Sequence, residues 1–527
     1  MKEIKELKFE ELTLEQKIGM VMVASVRSKE SFEYALELLK KRSIGAIWIY
    51  PQWDYNREEA KKAFEEAADY PVILIADAES GMGDHLIGRH NALGLCGSEE
   101  LAYTFGKITA IEARKHNINV VCNPLLDMTH KSCSCGTNNR AYGGDKETVA
   151  RLAAAEARGL HDGGVLTVGK HYPGSSTTEH IDSHMAETSS DATVEDLLNY
   201  NLYPYKYLID RGLLDGVMTK HTRYSKIDDK YPASLSKKVI DIIRERLGFD
   251  GFCVTDALTM MGIVTKFGKV ESRGMATAAG NDLALCFGNA KEDYETMCEC
   301  YRKGVFTDEQ LDRAVKKVLE IQHRTTLLPK DAVITAEDEE KFARINKDCI
   351  CAKVDEGVSA GIDPNGKYLF AVLTPMNVKI DNGKAAEDTM TNNWYKPERI
   401  LKHIAEKFPN SGTFAIKEYP EPHEVRQLLD AATEYDEVIF VTYFNSAAYV
   451  GREAFTPRIL SIFDAMQMTN AISTVLYFGN PFVLEDIPHV KRILMGPTAE
   501  GAIDSAIEIL AGEYPANGVM TYNVNFK

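Results

Sequence analysis

Val165-Leu166-Thr167-Val168-Gly169-Lys170-His171-Tyr172-Pro173-Gly174 opens with five residues that read as a buried β-strand and then turns abruptly polar. A cation and an imidazole stand where the strand ends, and Pro-Gly closes the turn. The same grammar recurs through the first ~330 residues. Short apolar runs at Gly19-Ala24, Ala46-Tyr50, Val72-Ala76, Asn119-Cys122, Val165-Gly169, Gly216-Thr219, Phe252-Thr255 and Asp282-Cys286 alternate with longer amphipathic segments, such as Asp145–Gly159. Most of the runs are rich in Val and Ile, as parallel strands covered on both faces tend to be. Eight strands with intervening helices predict an α/β fold, a (β/α)8 barrel of the TIM type over residues 1–335.

A helix with capping-box spacing at Thr307 and Gln310, and an apolar stripe of Leu311, Val315, Val318 and Leu319, ends this unit. Leu328-Pro329-Lys330 breaks the pattern, and an acidic stretch from Thr335 to about Val354 predicts a helical linker within 336–365. Residues 366–527 repeat the alternation on a smaller scale. Tyr368-Leu373, Thr413-Ile416, Val438-Tyr443, Thr474-Phe478 and Arg492-Met495 read as strands of a doubly wound α/β sandwich. No Gly-x-Gly-x-x-Gly follows its first strand, which leaves a dinucleotide role without support.

Bulk properties exclude several functions. The chain has 527 residues, 44% of them apolar and 26% charged, and a net charge of −17 without a basic stripe. Nucleic acid is therefore not an expected partner. No apolar window reaches the ~18 residues of a membrane span, and the charged Met1-Lys2-Glu3-Ile4-Lys5-Glu6 lacks a signal-peptide core. The expectation is a cytoplasmic protein whose ten cysteines are reduced thiols, with no disulfide framework, no metal and no cofactor. The Cys-x-Cys pairs Cys133/Cys135, Cys298/Cys300 and Cys349/Cys351 have shorter gaps than structural zinc sites favour. The sequence does not speak to oligomeric state.

Barrel active sites form at the carboxyl ends of the strands, so the polar residue after each strand carries the functional signal. Asp77, Lys170 and His171, Lys220 and His221, and Asp256 occupy such positions, with Asp127 and Arg140 on the long loop after Cys122. Alone, each reads as a helix cap or a surface charge, and Asp256 as an N-cap. Together they form one ionisable rim. A polar loop adds Asp182-Ser183-His184, in which the carboxylate can hold the far nitrogen of the ring and raise its basicity. A carboxylate on a rigid strand end can act as nucleophile, a His held by an Asp can donate and recover a proton, and Arg, Lys and Asp can grip neutral hydroxyls. Those parts suit glycosyl transfer on a small-molecule or oligosaccharide substrate.

These motifs resemble family 3 glycoside hydrolases, in particular the bacterial β-N-acetylglucosaminidase (β-N-acetylhexosaminidase) branch with a second α/β domain. The carriers are Lys170-His171-Tyr172-Pro173-Gly174 with Asp182-Ser183-His184, then Met218-Thr219-Lys220-His221, Pro232-Ala233-Ser234-Leu235-Ser236, Leu247-Gly248-Phe249-Asp250-Gly251, and Val254-Thr255-Asp256-Ala257-Leu258-Thr259-Met260. The resemblance covers residues 10–325 closely and the carboxyl unit more loosely, through Phe478-Gly479-Asn480-Pro481-Phe482. It implies an exo-acting, retaining enzyme with Asp256 as nucleophile, His184 as acid/base and Asp182 as its partner. It also implies substrate binding by Asp77, Arg140, Lys170 and His171, with Met218 and His221 in the same matched segment, and a role in peptidoglycan recycling or the scavenging of chitin-derived sugars. Two departures stand out. The family's Asp-Gln-Glu-Gly-Gly-Arg is Asp77-Ala78-Glu79-Ser80-Gly81-Met82 here, without the Arg. Its His-Gly-Asp-Thr is replaced by Ser175-Ser176-Thr177-Thr178 in a longer loop.

A His-Asp acid is neutral once it has given up its proton, so phosphate can approach as acceptor with less repulsion than beside a carboxylate. Phosphorolysis is therefore carried as a variant of hydrolysis. Other readings are a metallohydrolase using His180, Asp182 and His184 with Asp256 and His221 added from the barrel, a β-glucosidase whose acid is Glu453, and a sugar-binding barrel without turnover.

Overall fold

The computed structural model describes residues 4–50, 57–133, 135–175, 181–374, 378–381, 384–387, 395–444 and 454–527. The chain forms two compact units. One comprises Met1–Leu86, Glu99–Met128 and Lys146–Phe342, the other Ile87–Ser98, Thr129–Asp145 and Ala343–Lys527.

The first unit is a ring of eight strands: β1 (Met22–Ser25), β2 (Ala46–Trp48), β3 (Ile73–Ala76), β4 (Val120–Val121), β5 (Leu166–Tyr172), β6 (Gly216–Thr219), β7 (Phe252–Thr255) and β8 (Ala284–Leu285). Each pairs in parallel with the next in chain order through β7, and β8 pairs with β1. A further parallel bridge, Val254 to Leu283, links β7 to the residue before β8 and closes the barrel. Period-two alternation sorts its side chains. Val23, Ile73, Ile75, Val120, Leu166, Val168, Met218, Phe252 and Val254 pack into the barrel interior. The intervening Met22, Ile47, Leu74 and Val121 pack in the outer layer. Carried one step past the apolar run, the inward parity falls on Asp77, Lys170, Lys220 and Asp256.

Strand ends differ from expectation in two instructive places. Gly19 and Met20 belong not to a strand but to helix α1 (Leu14–Met20), started by a Thr13/Gln16 capping box. Conversely, β5 runs three residues beyond Gly169, so Lys170 and His171 lie within it, and its register against β6 shifts between Lys170 and Tyr172. Helix α2 (Lys146–Gly163) precedes β5, α3 (Met261–Phe267) follows β7, and α4 (Asp308–Thr326) carries the expected Thr307/Gln310 capping box.

The stretch 336–365 is helical only over α5 (Ala336–Asp348). Its continuation β9 (Cys351–Val354) is an edge strand of the second unit's sheet, where its backbone groups find partners in an antiparallel ladder. That sheet also contains β10 (Tyr368–Thr374), β11 (Gly412–Lys417), β12 (Glu437–Tyr443), β13 (Ile472–Phe478) and β14 (Arg492–Gly496), in the order β9-β14-β13-β12-β10-β11. Its five parallel strands have the 2-1-3-4-5 order of a doubly wound fold. Segments 87–98 and 129–145 join this unit through bonds such as Val519 N–H to Leu95 O and Gly144 N–H to Thr521 O. Among the described residues, no helix is long and apolar enough to cross a membrane.

Candidate active site

Lys170 sits on the inward parity of β5 with its side chain 2% exposed, and a buried ammonium requires anionic partners. Asp77 Oδ1 at 2.5 Å and Glu79 Oε1 at 2.6 Å are such partners. The register shift in β5 then turns His171 toward the loop after β4. There its backbone N–H and its Nδ1–H both donate to Asp127 Oδ2, at 3.1 and 2.6 Å. Ser175 Oγ donates to the other oxygen at 2.7 Å. Burial alone would raise the Asp127 pKa. The His171 ring, Lys220 and the Ser175 hydroxyl outweigh it and hold the carboxyl below its ordinary range.

Asp256 follows β7 directly. Its N–H donates to Thr219 O at 2.9 Å, and its Oδ1 accepts from Ala257 N–H at 2.7 Å. It is not a helix cap, since α3 begins only at Met261 and is preceded by Met260 at its N-cap. Among the described residues, the Ala257 N–H is the one hydrogen-bond donor to this carboxylate. Burial would again raise its pKa. The His171 and His221 rings, the Ala257 N–H and the His184 ring overcome that and keep the carboxyl below its ordinary range. Three imidazoles therefore lie within electrostatic reach of one carboxylate.

The three differ in what holds them. His221 is fully buried: its Nε2–H donates to Ala257 O at 3.0 Å and its Nδ1 accepts from Ser234 Oγ at 2.8 Å. Burial lowers its pKa by more than Asp256 raises it, so the ring stays neutral. Both nitrogens are engaged by the protein, and the ring braces the turn that presents Asp256. His184 is more open, with its side chain 33% exposed. Its Nδ1–H and its backbone N–H both donate to Asp182 Oδ1, at 2.7 and 2.9 Å.

The loop carrying this pair is tied to the turn after β7. Gly262 N–H donates to Ser183 O at 3.0 Å, and Met261 N–H reaches His184 O at 3.4 Å. Gly262 permits that approach: a Cβ there would lie 2.8 Å from Ser183 O and 2.9 Å from Ala186 O. Glu187 adds a second tether, receiving Arg223 Nε at 2.7 Å and Lys266 Nζ at 3.2 Å. One short segment, Asp256 to Gly262, thus positions both the strand-end carboxylate and the Asp-x-His loop.

Met218 is 3% exposed, lies in the barrel interior, and is paired in register with Lys170 and Val254. Arg140 lies on the Thr129–Asp145 segment of the second unit and is half-buried. Ser176, Thr177, Thr178, His180 and Glu453 lie outside the described residues. Three contributors escaped the expected site: Glu79, Ser175 and Ser234. Glu79 had a readable signal, being a carboxylate two residues after Asp77 and a single residue before the Ser-Gly turn. The two serines had none, because a hydroxyl declares its role only through what it touches.

Residues 7–321 match the family described as "Glycosyl hydrolase family 3 N terminal domain". The chain is 28% identical over 265 residues to a beta-hexosaminidase of Tolumonas auensis, spanning 48% of this chain and 78% of that one. It is 37% identical over 194 residues to a beta-hexosaminidase of Chromobacterium violaceum, spanning 37% and 53%. A solved family 3 beta-N-acetylglucosaminidase from Paenibacillus sp. str. FPU-7 aligns with a TM-score of 0.80 at 25% identity, covering 98% of this chain and 100% of that one. A beta-glucoside phosphorylase shares the fold, with a TM-score of 0.81 at 21% identity and coverage of 98% and 95%. With well over half its length inside the matched region, this chain belongs to glycosyl hydrolase family 3.

Proposed function

We propose that the protein is a retaining, exo-acting β-N-acetylglucosaminidase that removes terminal β-linked N-acetylhexosamine by double displacement. The observation that carries this reading is the asymmetry around Asp256. This carboxylate is held below its ordinary pKa and, among the described residues, accepts one backbone hydrogen bond, and the Asp182-held His184 ring lies within its electrostatic reach. The beta-hexosaminidase relatives and the Paenibacillus beta-N-acetylglucosaminidase support the choice of sugar.

In the first step an Asp256 oxygen bonds the anomeric carbon while the bond from that carbon to the leaving oxygen breaks. Since Nδ1 of His184 is committed to Asp182, the proton for the departing oxygen comes from Nε2. In the second step neutral Nε2 takes a proton from water, the water oxygen bonds the anomeric carbon, and Asp256 leaves. Lys170, clamped between Asp77 and Glu79, holds Asp77 in place to accept from sugar hydroxyls, and His171 adds to the grip on the ring. Phosphate is a second acceptor, because the spent His184 adds no negative charge over the glycosyl-enzyme. The ratio of glycosyl phosphate to free sugar formed in phosphate buffer measures its share.

The test is a slow fluorinated glycoside. It should add the mass of one glycosyl group to the peptide containing Asp256; a label on any other residue, or none under turnover conditions, removes the assignment.

A further inference from the structure

Eleven large apolar side chains are exposed among the described residues, and three of them bracket one histidine. Ile181 is 51% exposed and Met185 49%, immediately on either side of Asp182-Ser183-His184, while Met261, 43% exposed, lies on the helix whose first N–H reaches His184 O. Isolated apolar residues on a surface need no explanation, but three gathered from two elements around a polar site do. The gathering is built. The loop is held to α3 by Gly262 N–H and by Glu187, and Glu187 spends its charge on Arg223 and Lys266. The rest of the described mouth, at Asp77, Glu79, Lys170 and Asp127, is ionic.

We propose that Ile181, Met185 and Met261 form an apolar lip on the leaving-group side of the scissile bond, which selects substrates and acceptors with an apolar aglycone face. This rests on the acid/base role proposed for His184. The nucleophile and the acid must act from opposite ends of the breaking bond, so whatever flanks His184 meets the aglycone rather than the sugar being transferred. Ionic groups recognise the hydroxyls of the terminal sugar. The two methionines, flexible and polarisable, can follow aglycones of different shape.

Methyl and hexyl β-N-acetylglucosaminides have alkoxide leaving groups of nearly equal basicity and differ in apolar surface. The hexyl compound should show a kcat/KM about tenfold higher, for partial burial of its added methylenes. Combining Ile181→Ser, Met185→Ser and Met261→Ser should bring the ratio toward one, whereas Met185→Leu, which keeps apolar area, should preserve it. A wild-type ratio near one, or a ratio that survives the triple substitution in a folded protein, overturns the proposal. Failure of the fluorinated glycoside to label Asp256 removes the proposed mechanism but leaves the alkyl-chain ratio readable, so the two failures are distinct.

Discussion

Carboxylates beside histidine or arginine stand at both ends of the barrel, yet the buried Asp215 and Asp282 at one end and the half-buried Asp256 at the other are treated in opposite ways. At the amino ends of the strands, Asp215 precedes β6. It accepts Thr167 N–H at 2.8 Å, Thr167 Oγ at 3.1 Å, His161 Nε2 at 2.7 Å and an Arg324 Nη2–H. Asp282, which precedes β8, accepts Cys253 N–H at 2.8 Å, Arg244 at 3.2 Å and Arg313 at 2.6 Å. Those acceptors are filled by the fold itself. At the carboxyl ends, Asp256 accepts one bond among the described residues, from its own neighbour, and its other lone pairs take no donor from them. A buried charge beside a histidine therefore marks structure as readily as chemistry. Unspent acceptor capacity facing the barrel mouth separates the two.

The largest effects should expose that difference. Asp256→Asn should lower kcat by ~10³-fold or more while leaving the urea midpoint nearly unchanged, because few native bonds are lost. Asp215→Ala should do the reverse, costing about 3 kcal/mol in unfolding free energy by stranding Arg324 and His161, with KM unaltered in the folded fraction. If Asp256→Asn destabilises the fold as much as Asp215→Ala, the contrast between the two ends collapses.

His184→Ala probes the acid. On glycosides whose leaving group needs protonation it should cost roughly 10²–10³-fold in kcat, and on activated aryl glycosides far less in the first step. Equal losses on both would assign His184 a role other than proton donation.

The strands β6 and β7 were legible to the residue, because Gly216–Thr219 and Phe252–Thr255 are apolar on both faces and end at a polar boundary. The end of β5 was not. Lys170 is charged yet fully interior, so a hydropathy reading stops at Gly169, one residue before the inward-facing Lys170. Glu79 hid for a related reason: its burial is offset by a lysine 91 positions away in sequence, and no local pattern records that pairing. The catalytic candidates on one strand end and one loop were visible as residue types. What joins them, Gly262 under Ser183 O and His221 under Ala257 O, is tertiary. So too is the interleaving of segments 87–98 and 129–145 with the second unit, which a boundary drawn once along the chain cannot express.

Gly262→Ala tests that joint with a smaller expected effect. The new Cβ would meet two backbone oxygens at under 3 Å, so the loop must move away from α3, and His184 with it. A loss of about tenfold in kcat on unactivated glycosides is expected, with activated aryl glycosides nearly spared, since Asp256 stays on its strand end. Equal loss on both substrates would mean that the turn itself, rather than the loop, has shifted.

The smallest expected effect is the pH dependence of stability, and its sign differs between two carboxylates at the same end of the barrel. Burial works against ionisation of Asp215, but His161, Arg324 and the Thr167 N–H outweigh it and hold the folded pKa below the unfolded value near 3.8. Its stabilising contribution is therefore complete above that value and disappears as pH falls through the depressed folded one. At Asp282 burial wins over Arg313 and Arg244, and the folded pKa lies above 3.8. The folded state then binds that proton more readily than the unfolded state, so its penalty is present at neutral pH and relieved by acid. The stability gap between the wild type and Asp215→Asn, read from urea unfolding at a series of pH values, should be constant at neutral pH and narrow below about pH 4. A gap that stays unchanged to pH 3, or widens on acidification, would mean that the bonds filling Asp215 do not favour its charged form, and that filled acceptors are no guide to which end of the barrel is structural.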